Sequence, residues 1–245
     1  MSIAISEHFF SIQGEGKTMG VPSIFIRLTA CNLMCGGRGT EKDQKLHNGA
    51  TWRCDSIEVW RTGKKYEEKE FASIIYKKYK KQILDGCHIV LTGGEPVLQQ
   101  KKLKLFLDEL VKLTKFKPYI EIETNGTLIP NLIYEYIDLI NCSPKLSNSG
   151  ELEQRRIKKD VLSFFNISPK SIFKFVISRD QDMKEVLELK NKLSLHTEKI
   201  YLMPSAEDQE ELKQNQDRVL NFCLEHTFNF STRLQIILWN KTTGV

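Results

Sequence analysis

Short apolar segments alternate with longer amphipathic segments along most of this chain, and this alternation limits the fold more than any other feature. Strands are predicted at the β-branched and apolar runs 22–29, 88–92, 119–124, 137–143, 171–178, 199–204 and 233–239. Helices are predicted, from apolar residues at helical spacing, over 67–84, 99–114, 130–136, 152–165, 181–194 and 207–226. Strands separated by helices of this length are typical of βα units. The pattern predicts an α/β fold with a mostly parallel sheet.

One segment interrupts this regularity. Residues 36–53 contain four glycines and few apolar side chains, which indicates a loop inserted after the first predicted strand. The 245 residues suit one domain, so we predict a single domain over 1–245 that carries this insertion. The chain has no apolar run of about 20 residues and no signal peptide at its start. We therefore expect a cytoplasmic protein with no membrane partner.

The cysteines fall into two groups. Cys31 and Cys35 are separated by three residues just after a predicted strand, and Cys54 follows after eighteen intervening residues. Three thiolates can hold three irons of a [4Fe–4S] cluster and leave the fourth iron open. A structural zinc site, with His47 as the fourth ligand, is the alternative, although zinc ligands usually come as two close pairs. Core positions are expected for the other three cysteines, which have apolar neighbours: Cys87, Cys142 and Cys223.

Polar motifs follow several of the predicted strands. Gly93-Gly94-Glu95-Pro96 follows the strand at 88–92, Asn125-Gly126 follows 119–124, and Ser143-Pro144-Lys145 ends 137–143. Each motif taken singly is also compatible with a simple turn. Because ligands of parallel α/β folds bind at the carboxyl ends of the strands, the motifs together predict one ligand site at this edge of the sheet.

The formal net charge is +5, and one basic run contributes to it, Lys77-Lys78-Tyr79-Lys80-Lys81. A basic run can bind nucleic acid. We interpret this one as the solvated face of a helix, because the sequence has no signature of a nucleic-acid-binding module. A zinc-stabilised nucleic-acid-binding module remains the alternative from a different functional class, and it predicts salt-dependent binding.

Taken together, these motifs resemble the radical S-adenosylmethionine (SAM) superfamily, and within it the 7-carboxy-7-deazaguanine synthases. Cys31-Asn-Leu-Met-Cys35 matches the first half of the superfamily signature Cys-x3-Cys-x2-Cys. In this chain Arg38 occupies the position of the third cysteine of that signature. A cysteine with the neighbours expected around the third one occurs later, at Trp52-Arg53-Cys54-Asp55-Ser56. The resemblance therefore implies that Cys54 is the third cluster ligand, displaced by the insertion.

Further matches run along the chain in the order of that family: Ser11–Gly16, Phe25–Leu28, Gly93–Pro96, Glu123–Gly126 and Ser143–Lys145. The implied fold is a partial (β/α)6-type radical SAM barrel. The implied activity is that of a carbon–nitrogen lyase. It contracts the ring of 6-carboxy-5,6,7,8-tetrahydropterin to 7-carboxy-7-deazaguanine with loss of ammonia, in queuosine biosynthesis. Another radical SAM enzyme, such as a glycyl-radical-activating enzyme, would share the cluster and the Gly-Gly-Glu-Pro motif and remains an alternative.

The resemblance also implies roles for particular residues. SAM is expected to contact Gly93, Gly94, Glu95, Glu123, Asn125, Ser143 and Lys145. The pterin is expected to contact Gln13, Gly14, Glu15, Arg27, Thr92 and Gln235. Mg²⁺, which prefers oxygen ligands, is expected at Ser56, where relatives commonly carry threonine.

Other implied features concern partners and the C-terminal end. The resemblance implies a flavodoxin-like or ferredoxin-like reductant, a homodimer and no direct nucleic-acid partner. Relatives often carry a histidine two residues after the glutamine of the last strand, whereas this chain has Ile237 there. The carboxylate of Val245 is a further candidate ligand near the site.

Overall fold

The computed structural model describes residues 2–242, so the carboxylate of Val245 lies outside the described residues. The strands are β1 (Ile3–Ile12), β2 (Pro22–Leu28), β3 (Lys64–Tyr66), β4 (His88–Gly93), β5 (Ile120–Thr124), β6 (Leu139–Cys142), β7 (Ser171–Ile177), β8 (Ile200–Pro204) and β9 (Asn229–Phe230). The helices are α1 (Thr40–Asp43), α2 (Ile57–Trp60), α3 (Glu68–Leu84), α4 (Gln100–Thr114), α5 (Glu153–Arg156), α6 (Lys159–Ile167), α7 (Asp180–Leu193), α8 (Gln209–His226) and α9 (Leu234–Trp239).

Within residues 2–242 the nine strands form one sheet, in the order β3-β1-β2-β4-β5-β6-β7-β8-β9. β1 pairs antiparallel with β2 and β3, and every pair from β2 to β9 is parallel. β3 and β9 are its two edges, so the described sheet does not close. The predicted α/β fold with a mostly parallel sheet is confirmed.

Alternate residues of the strands face the helices and form the main core. Ile26, Leu91, Ile122 and Ile140 lie in neighbouring strands, and each has no exposed surface. They pack in one cluster with residues of α3 and α4, such as Phe106. Burial of an aliphatic or aromatic side chain of this size contributes about 1.5–3 kcal/mol. This face therefore holds the helices on the sheet.

The opposite face of the same strands carries a row of polar residues. The strand register places Glu7 beside Arg27, Arg27 beside Thr92, and Glu123 beside Asn141. The Thr92 hydroxyl donates to the Glu123 carboxylate at 2.7 Å, which completes the row across five strands. Polar side chains are unfavourable in an apolar core, so this row of polar residues, called the concave face below, is a candidate ligand-binding face.

The segment 233–239 is not the strand that its apolar residues predict. Residues Leu234–Trp239 form helix α9, and the sheet ends instead at the two-residue strand β9. A short apolar run does not distinguish strand from helix by its pattern. Here Arg233 decides the path, because its side chain bonds to Glu15 and to the carbonyl of Ala206 and holds the start of α9 against the N-terminal loop.

Three smaller differences concern element boundaries. Strand β1 (Ile3–Ile12) was not among the predicted strands, since seven of its ten residues are only partly buried. The helix predicted over 152–165 is divided into α5 and α6, with extended backbone at Ile157 and Lys158. The helix predicted over 130–136 is reduced to one 3-10 turn at Tyr134–Tyr136.

The remaining surface and cysteine predictions agree with the structure. Lys77, Lys78, Lys80 and Lys81 are exposed on α3, while Tyr79 between them is buried. Buried positions are occupied, as predicted, by Cys87, Cys142 and Cys223. No helix within residues 2–242 has the length and apolar character that a membrane span requires.

Candidate active site

The insertion returns the chain to the place where it leaves the sheet. The main chain of Gly36 accepts from His47 N at 2.8 Å and donates to Ser149 O at 2.9 Å. At the base of the insertion, Cys54 N donates to Cys35 O at 3.2 Å. These hydrogen bonds fold residues 36–53 into a closed loop. Cys54 therefore lies beside Cys35 in spite of the eighteen residues between them.

Gly37 is required by this loop. Its φ is +85°, and a Cβ atom there would lie 2.2 Å from the carbonyl oxygen of His47. A side chain at Gly37 would therefore push apart the two main-chain segments of the loop, at Gly37 and at His47, where they meet. His47 itself points back into the insertion, where its Nε2 lies 2.9 Å from both carboxylate oxygens of Asp43.

The three cysteines lie close enough together for the charge of one to influence the pKa of another. Burial, together with the charges of Glu95 and Cys54, raises the pKa of Cys31 to about 11. Burial also raises the pKa of Cys35, while Lys145 acts in the opposite direction. Thiols in such a site stay protonated until a metal deprotonates them. The positive charge of Lys145 favours the thiolate forms.

This donor set fits an iron–sulfur cluster. Soft thiolate ligands from Cys31, Cys35 and Cys54 are those that such clusters use. Each would bind a different iron, so the sulfurs need not surround one point. No three His, Cys, Asp or Glu side chains among residues 2–242 surround a position suited to a single metal ion. His47, the fourth ligand of the zinc alternative, is paired with Asp43 instead.

The Gly-Gly-Glu-Pro motif packs against the start of the cysteine loop. A Cβ at Gly94 would lie 2.1 Å from Ala30 O, and a Cβ at Gly93 would lie 2.2 Å from Leu28 O. Glu95 N also donates to Ala30 O at 2.8 Å. In this structure the glycines are therefore required by the close approach of β4 to the end of β2.

The Glu95 carboxylate is turned into the protein. It is fully buried and accepts from Val97 N, from the Thr124 hydroxyl and from Asn125 N at 2.7–3.0 Å. Burial raises the pKa of Glu95 to about 7. Glu95 thus joins the ends of β4 and β5. Its expected contact with the ammonium of SAM stays a prediction.

The other residues expected at SAM lie at the neighbouring strand ends. Asn125 donates to the side chain of Asn32 at 2.9 Å, and its amide nitrogen is 3.8 Å from Cys31 Sγ. Lys145 Nζ donates to the Ser143 hydroxyl at 3.1 Å. The ends of β5 and β6 therefore meet the cysteine loop, as expected for one shared site.

The N-terminal loop is held by a buried charge network. The Glu15 carboxylate pairs with Lys174, accepts from Arg233 Nε at 3.0 Å, and accepts from Gln235 Nε2 at 2.7 Å. Burial alone would raise the pKa of Glu15, but the charges of Lys174 and Arg233 hold it well below its usual range. The Glu15 carboxylate is therefore ionised, and its oxygens are occupied by these three protein partners.

Gln13 connects this loop to strand β5. Its side chain is buried, and its amide nitrogen donates to Glu121 at 3.0 Å and to Glu123 at 3.3 Å. Its amide oxygen accepts from Glu15 N at 3.2 Å. Since each polar group of the side chain has a protein partner, Gln13 orients the two glutamates. Arg27, also expected at the substrate, pairs with Glu7 at 2.8 Å on the same face.

Gln235 and Gly14 lie together across the loop. A Cβ at Gly14 would lie 1.9 Å from Gln235 Oε1, and Gly14 O accepts from Leu234 N at 2.9 Å. Gln235 Oε1 is buried and has no hydrogen-bond partner among the described residues. Ile237, where relatives often have histidine, is 46% exposed on the outer side of α9. That position therefore contributes nothing to the concave face.

Ser56, the expected Mg²⁺ ligand, starts helix α2. Its hydroxyl is 3.5 Å from Cys54 Sγ. The neighbouring Asp55 carboxylate accepts from Arg233 at 2.6 Å, which links the cluster loop to the Glu15 network. Oxygen donors are thus available beside the cysteines, and the Mg²⁺ site stays a prediction.

Four residues of the concave face were missed by the sequence reasoning: Glu121, Asn141, Lys174 and Arg233. Glu121 is fully buried, and burial together with the charge of Glu123 raises its pKa to about 7. Asn141 lies close enough to Glu121 to lower its pKa. Neither the amide nitrogen nor the amide oxygen of Asn141 has a hydrogen-bond partner among the described residues. Charged residues at alternate positions of an otherwise apolar strand, as in Ile120–Thr124, were the signal that could have found Glu121 beside the predicted Glu123.

Comparison with known proteins was made by sequence and by structure. No protein-family model matches the chain. It is 29% identical over 243 residues to the 7-carboxy-7-deazaguanine synthase of Pyrobaculum aerophilum, covering 99% of this chain and 97% of the relative. It is 31% identical over 261 residues to the synthase of the same name from Halobacterium salinarum, covering 98% of this chain and 91% of the relative.

Two solved structures share the fold. QueE from Escherichia coli superposes with a TM-score of 0.63 at 24% identity and covers 96% of this chain and 95% of its own. SuiB from Streptococcus suis, solved bound to S-adenosylmethionine, superposes with a TM-score of 0.52 at 17% identity, over 83% of this chain and 48% of its own. Since a relative above 30% identity is matched over nearly its whole length, the chain belongs to the 7-carboxy-7-deazaguanine synthase family.

Proposed function

We propose that this protein is a radical SAM lyase that converts 6-carboxy-5,6,7,8-tetrahydropterin to 7-carboxy-7-deazaguanine with loss of ammonia. One observation carries the proposal. The cysteine loop, with Cys54 returned to Cys35, adjoins a concave polar face in a chain related to synthases of that name over nearly its whole length. The fold alone does not imply a reaction.

Cys31, Cys35 and Cys54 would hold the [4Fe–4S] cluster. The strand-end residues next to them, chiefly Asn125, Ser143 and the Gly93-Gly94 main chain, would hold SAM. Together the cluster and SAM supply a one-electron cleavage that produces the radical needed to start a ring rearrangement. The contribution of the protein is to bind, orient and exclude water.

The concave face suits the pterin. A pterin presents N–H donors on its pyrimidine edge, and the partly buried carboxylate of Glu123, to which the Gln13 amide donates, is the acceptor for them. The substrate carboxylate needs a cation, and Arg27 can bind it with two parallel hydrogen bonds. Thr92 holds Glu123 in place with a hydrogen bond of 2.7 Å. The Lys174–Glu15–Arg233 network covers the far end of the face and keeps the N-terminal loop closed on the sheet.

Further parts of the proposal concern ligands and partners. Mg²⁺ would bind at Ser56 together with the substrate carboxylate, because it prefers oxygen ligands. A flavodoxin-like or ferredoxin-like protein would supply the electron, and the enzyme would act as a homodimer. Six unpaired thiols among the described residues favour a reducing compartment such as the cytoplasm.

Anaerobic reconstitution with iron and sulfide tests the proposal. The reconstituted protein is incubated with dithionite, SAM, Mg²⁺ and 6-carboxytetrahydropterin, and the products are identified by mass spectrometry. The expected product is 7-carboxy-7-deazaguanine. Formation of 5′-deoxyadenosine without it would keep the radical SAM core but reject this substrate. Co-purification of zinc with no cluster would reject the proposal as a whole.

A further inference from the structure

Two charged residues in and just before helix α5 bind the main chain between the first two cysteines of the proposed cluster. The carboxylate of Glu151 accepts from Met34 N at 2.6 Å. The guanidinium of Arg155 donates to Asn32 O at 2.6 Å. Both contacts fall on the three residues between those cysteines, so a carboxylate and a guanidinium together hold one short segment of the cysteine loop.

Glu151 and Arg155 also form an ion pair with each other. Arg155 Nη1 lies 3.3 Å from Glu151 Oε2, and the side chains are 34% and 3% exposed, respectively. Among residues 2–242 no other cation pairs with Glu151. Because buried charges are screened far less by salt and solvent than exposed ones, the carboxylate acts strongly on its surroundings, and the more exposed guanidinium opposes it.

The negative charge of Glu151 reaches the cysteines. Burial raises the pKa of Cys35, and the charge of Glu151 acts in the same direction. The main chain fixes the carboxylate in place, because Glu151 N donates to Ser149 Oγ at 3.4 Å and Glu151 O accepts from Arg156 Nε at 3.1 Å. Ser149 O in turn accepts from Gly36 N at 2.9 Å. The charge therefore belongs to the same segment that fastens the insertion.

We propose that Glu151 and Arg155 are positioning residues that set the reduction potential of the cluster. This inference rests on the proposed function, because it assumes a cluster held by the three cysteines. In the step concerned, the oxidised cluster gains one electron, its reductant loses one, and no bond is made or broken. A nearby negative charge destabilises the more negative reduced cluster and lowers its potential, while a positive charge raises it. Glu151 thus makes the electron more reducing, which favours its transfer to SAM, and Arg155 limits this effect.

Neutral variants of the two residues provide the test. Glu151→Gln keeps an oxygen for Met34 N but removes the negative charge, and Arg155→Gln removes the positive charge. The reconstituted proteins are titrated with dithionite and redox mediators, without SAM or substrate, and the reduced cluster is quantified by electron paramagnetic resonance. At a fixed potential we expect the ratio of reduced to oxidised cluster to rise about tenfold in Glu151→Gln, which is about 59 mV for one electron. In Arg155→Gln the ratio should fall, by a smaller factor because the guanidinium is partly exposed.

Two controls separate the effect of charge from the geometry of the loop. Glu153→Gln makes the same chemical change two residues away, where the carboxylate is 58% exposed and pairs with Lys192 at 2.9 Å. Its cluster should titrate like that of the wild type. Arg155→Lys keeps the positive charge and should retain the wild-type potential, even though its shorter fork of donors cannot reproduce both contacts of the guanidinium.

The outcomes distinguish this inference from the proposed function. An unchanged potential in Glu151→Gln, or shifts of Glu151→Gln and Arg155→Gln in the same direction, would overturn the inference while the cluster itself stands. If Glu151→Gln does not load a cluster, the difference between Arg155→Gln and Arg155→Lys decides the question. Absence of any cluster from the reconstituted wild type would reject the proposed function, and this inference with it.

Discussion

At the scale of single residues, the concave face combines side chains that would be unfavourable alone. Glu15 is ionised because Lys174 and Arg233 compensate its burial. Among residues 2–242 no cation forms an ion pair with Glu121, and its hydrogen bonds come from Gln13 and from the Thr18 hydroxyl at 2.6 Å. Two buried carboxylates thus have opposite protonation preferences, decided by whether a cation lies beside them.

The assignment of the third cluster ligand leads to a direct prediction. Cys54→Ala is expected to abolish cluster formation, because two remaining thiolates do not hold the cluster. Cys87→Ala is expected to spare it, since Cys87 packs in the main core. Iron and sulfide content after reconstitution measures both, with circular dichroism as the check of folding. An intact cluster in Cys54→Ala would refute the displaced ligand.

Glu121 predicts a dependence of stability on pH. Its pKa is raised from 4.5 to about 7 in the folded protein, so between these values the folded state binds more protons than the unfolded state. Stability contributed by this group therefore falls as pH rises through this window. Glu121→Gln removes the titration, and we expect its stability relative to wild type to rise between pH 5 and pH 8, on the order of 2 kcal/mol. Urea unfolding at both pH values measures this.

The matched control for that measurement is Glu188→Gln, at an exposed position of α7. It makes the same chemical change without burial, so its stability relative to wild type should stay constant between the two pH values. Glu95, whose pKa is also raised to about 7 by burial, titrates equally in all three proteins and cancels in the comparison. A Glu121→Gln difference that is independent of pH would contradict the protonated state of Glu121.

At the scale of elements, the insertion shows how a loop without a core obtains a defined path. Main-chain hydrogen bonds close it at Gly36 and His47 and again at Cys35 and Cys54. It also bonds to the segment after β6, where Thr51 N donates to Asn148 O at 2.9 Å. Its conformation therefore depends on main-chain contacts that only glycine permits at some positions.

Gly37 and Gly49 provide a matched pair within that insertion. Both have positive φ, but a Cβ at Gly37 would meet His47 O at 2.2 Å, whereas a Cβ at Gly49 meets nothing within 4 Å. Gly49→Ala should cost only the strain of the left-handed conformation, about 1–2 kcal/mol. Gly37→Ala adds the main-chain clash and should lower cluster loading as well. Thermal unfolding and iron content of the two variants measure this difference, and equal losses would contradict the loop path.

The elements also differ in how well the sequence predicts them. Strands β2, β4, β5 and β8 are rich in β-branched and apolar residues because one face of each packs in the main core, and their boundaries agree with the structure within one residue. The run 233–239 is equally apolar but lies at the end of the sheet, and there the contacts of Arg233 override the local preference of its isoleucines for a strand.

At the scale of the whole molecule, the predicted single domain can be tested by unfolding. The three tryptophans lie in two regions far apart in the sequence, Trp52 and Trp60 near the cluster loop and Trp239 in α9. Arg233 joins these ends through Asp55 and Glu15. We expect tryptophan fluorescence and far-ultraviolet circular dichroism to report the same urea midpoint, as in a cooperative two-state transition.

Trp239→Phe sharpens that comparison, because its fluorescence reports only the two tryptophans near the cluster loop. If the chain is one domain, the fluorescence midpoint of this variant will still coincide with that of circular dichroism. Separate midpoints would show that the cluster loop unfolds independently of the sheet, as an autonomous unit would.

The sequence by itself determined the alternation of strands and helices, the edge of the sheet where the motifs meet, and the family of the chain. These follow from local signals, because hydrophobic period and short motifs depend on neighbouring residues. Tertiary structure alone decided the main-chain path of the loop from Cys35 to Cys54, the helical form of Leu234–Trp239 and the buried network of Glu15, Lys174 and Arg233. The physical reason is that these features join residues far apart in the chain, so their energies appear only when the folded sheet brings the partners into contact.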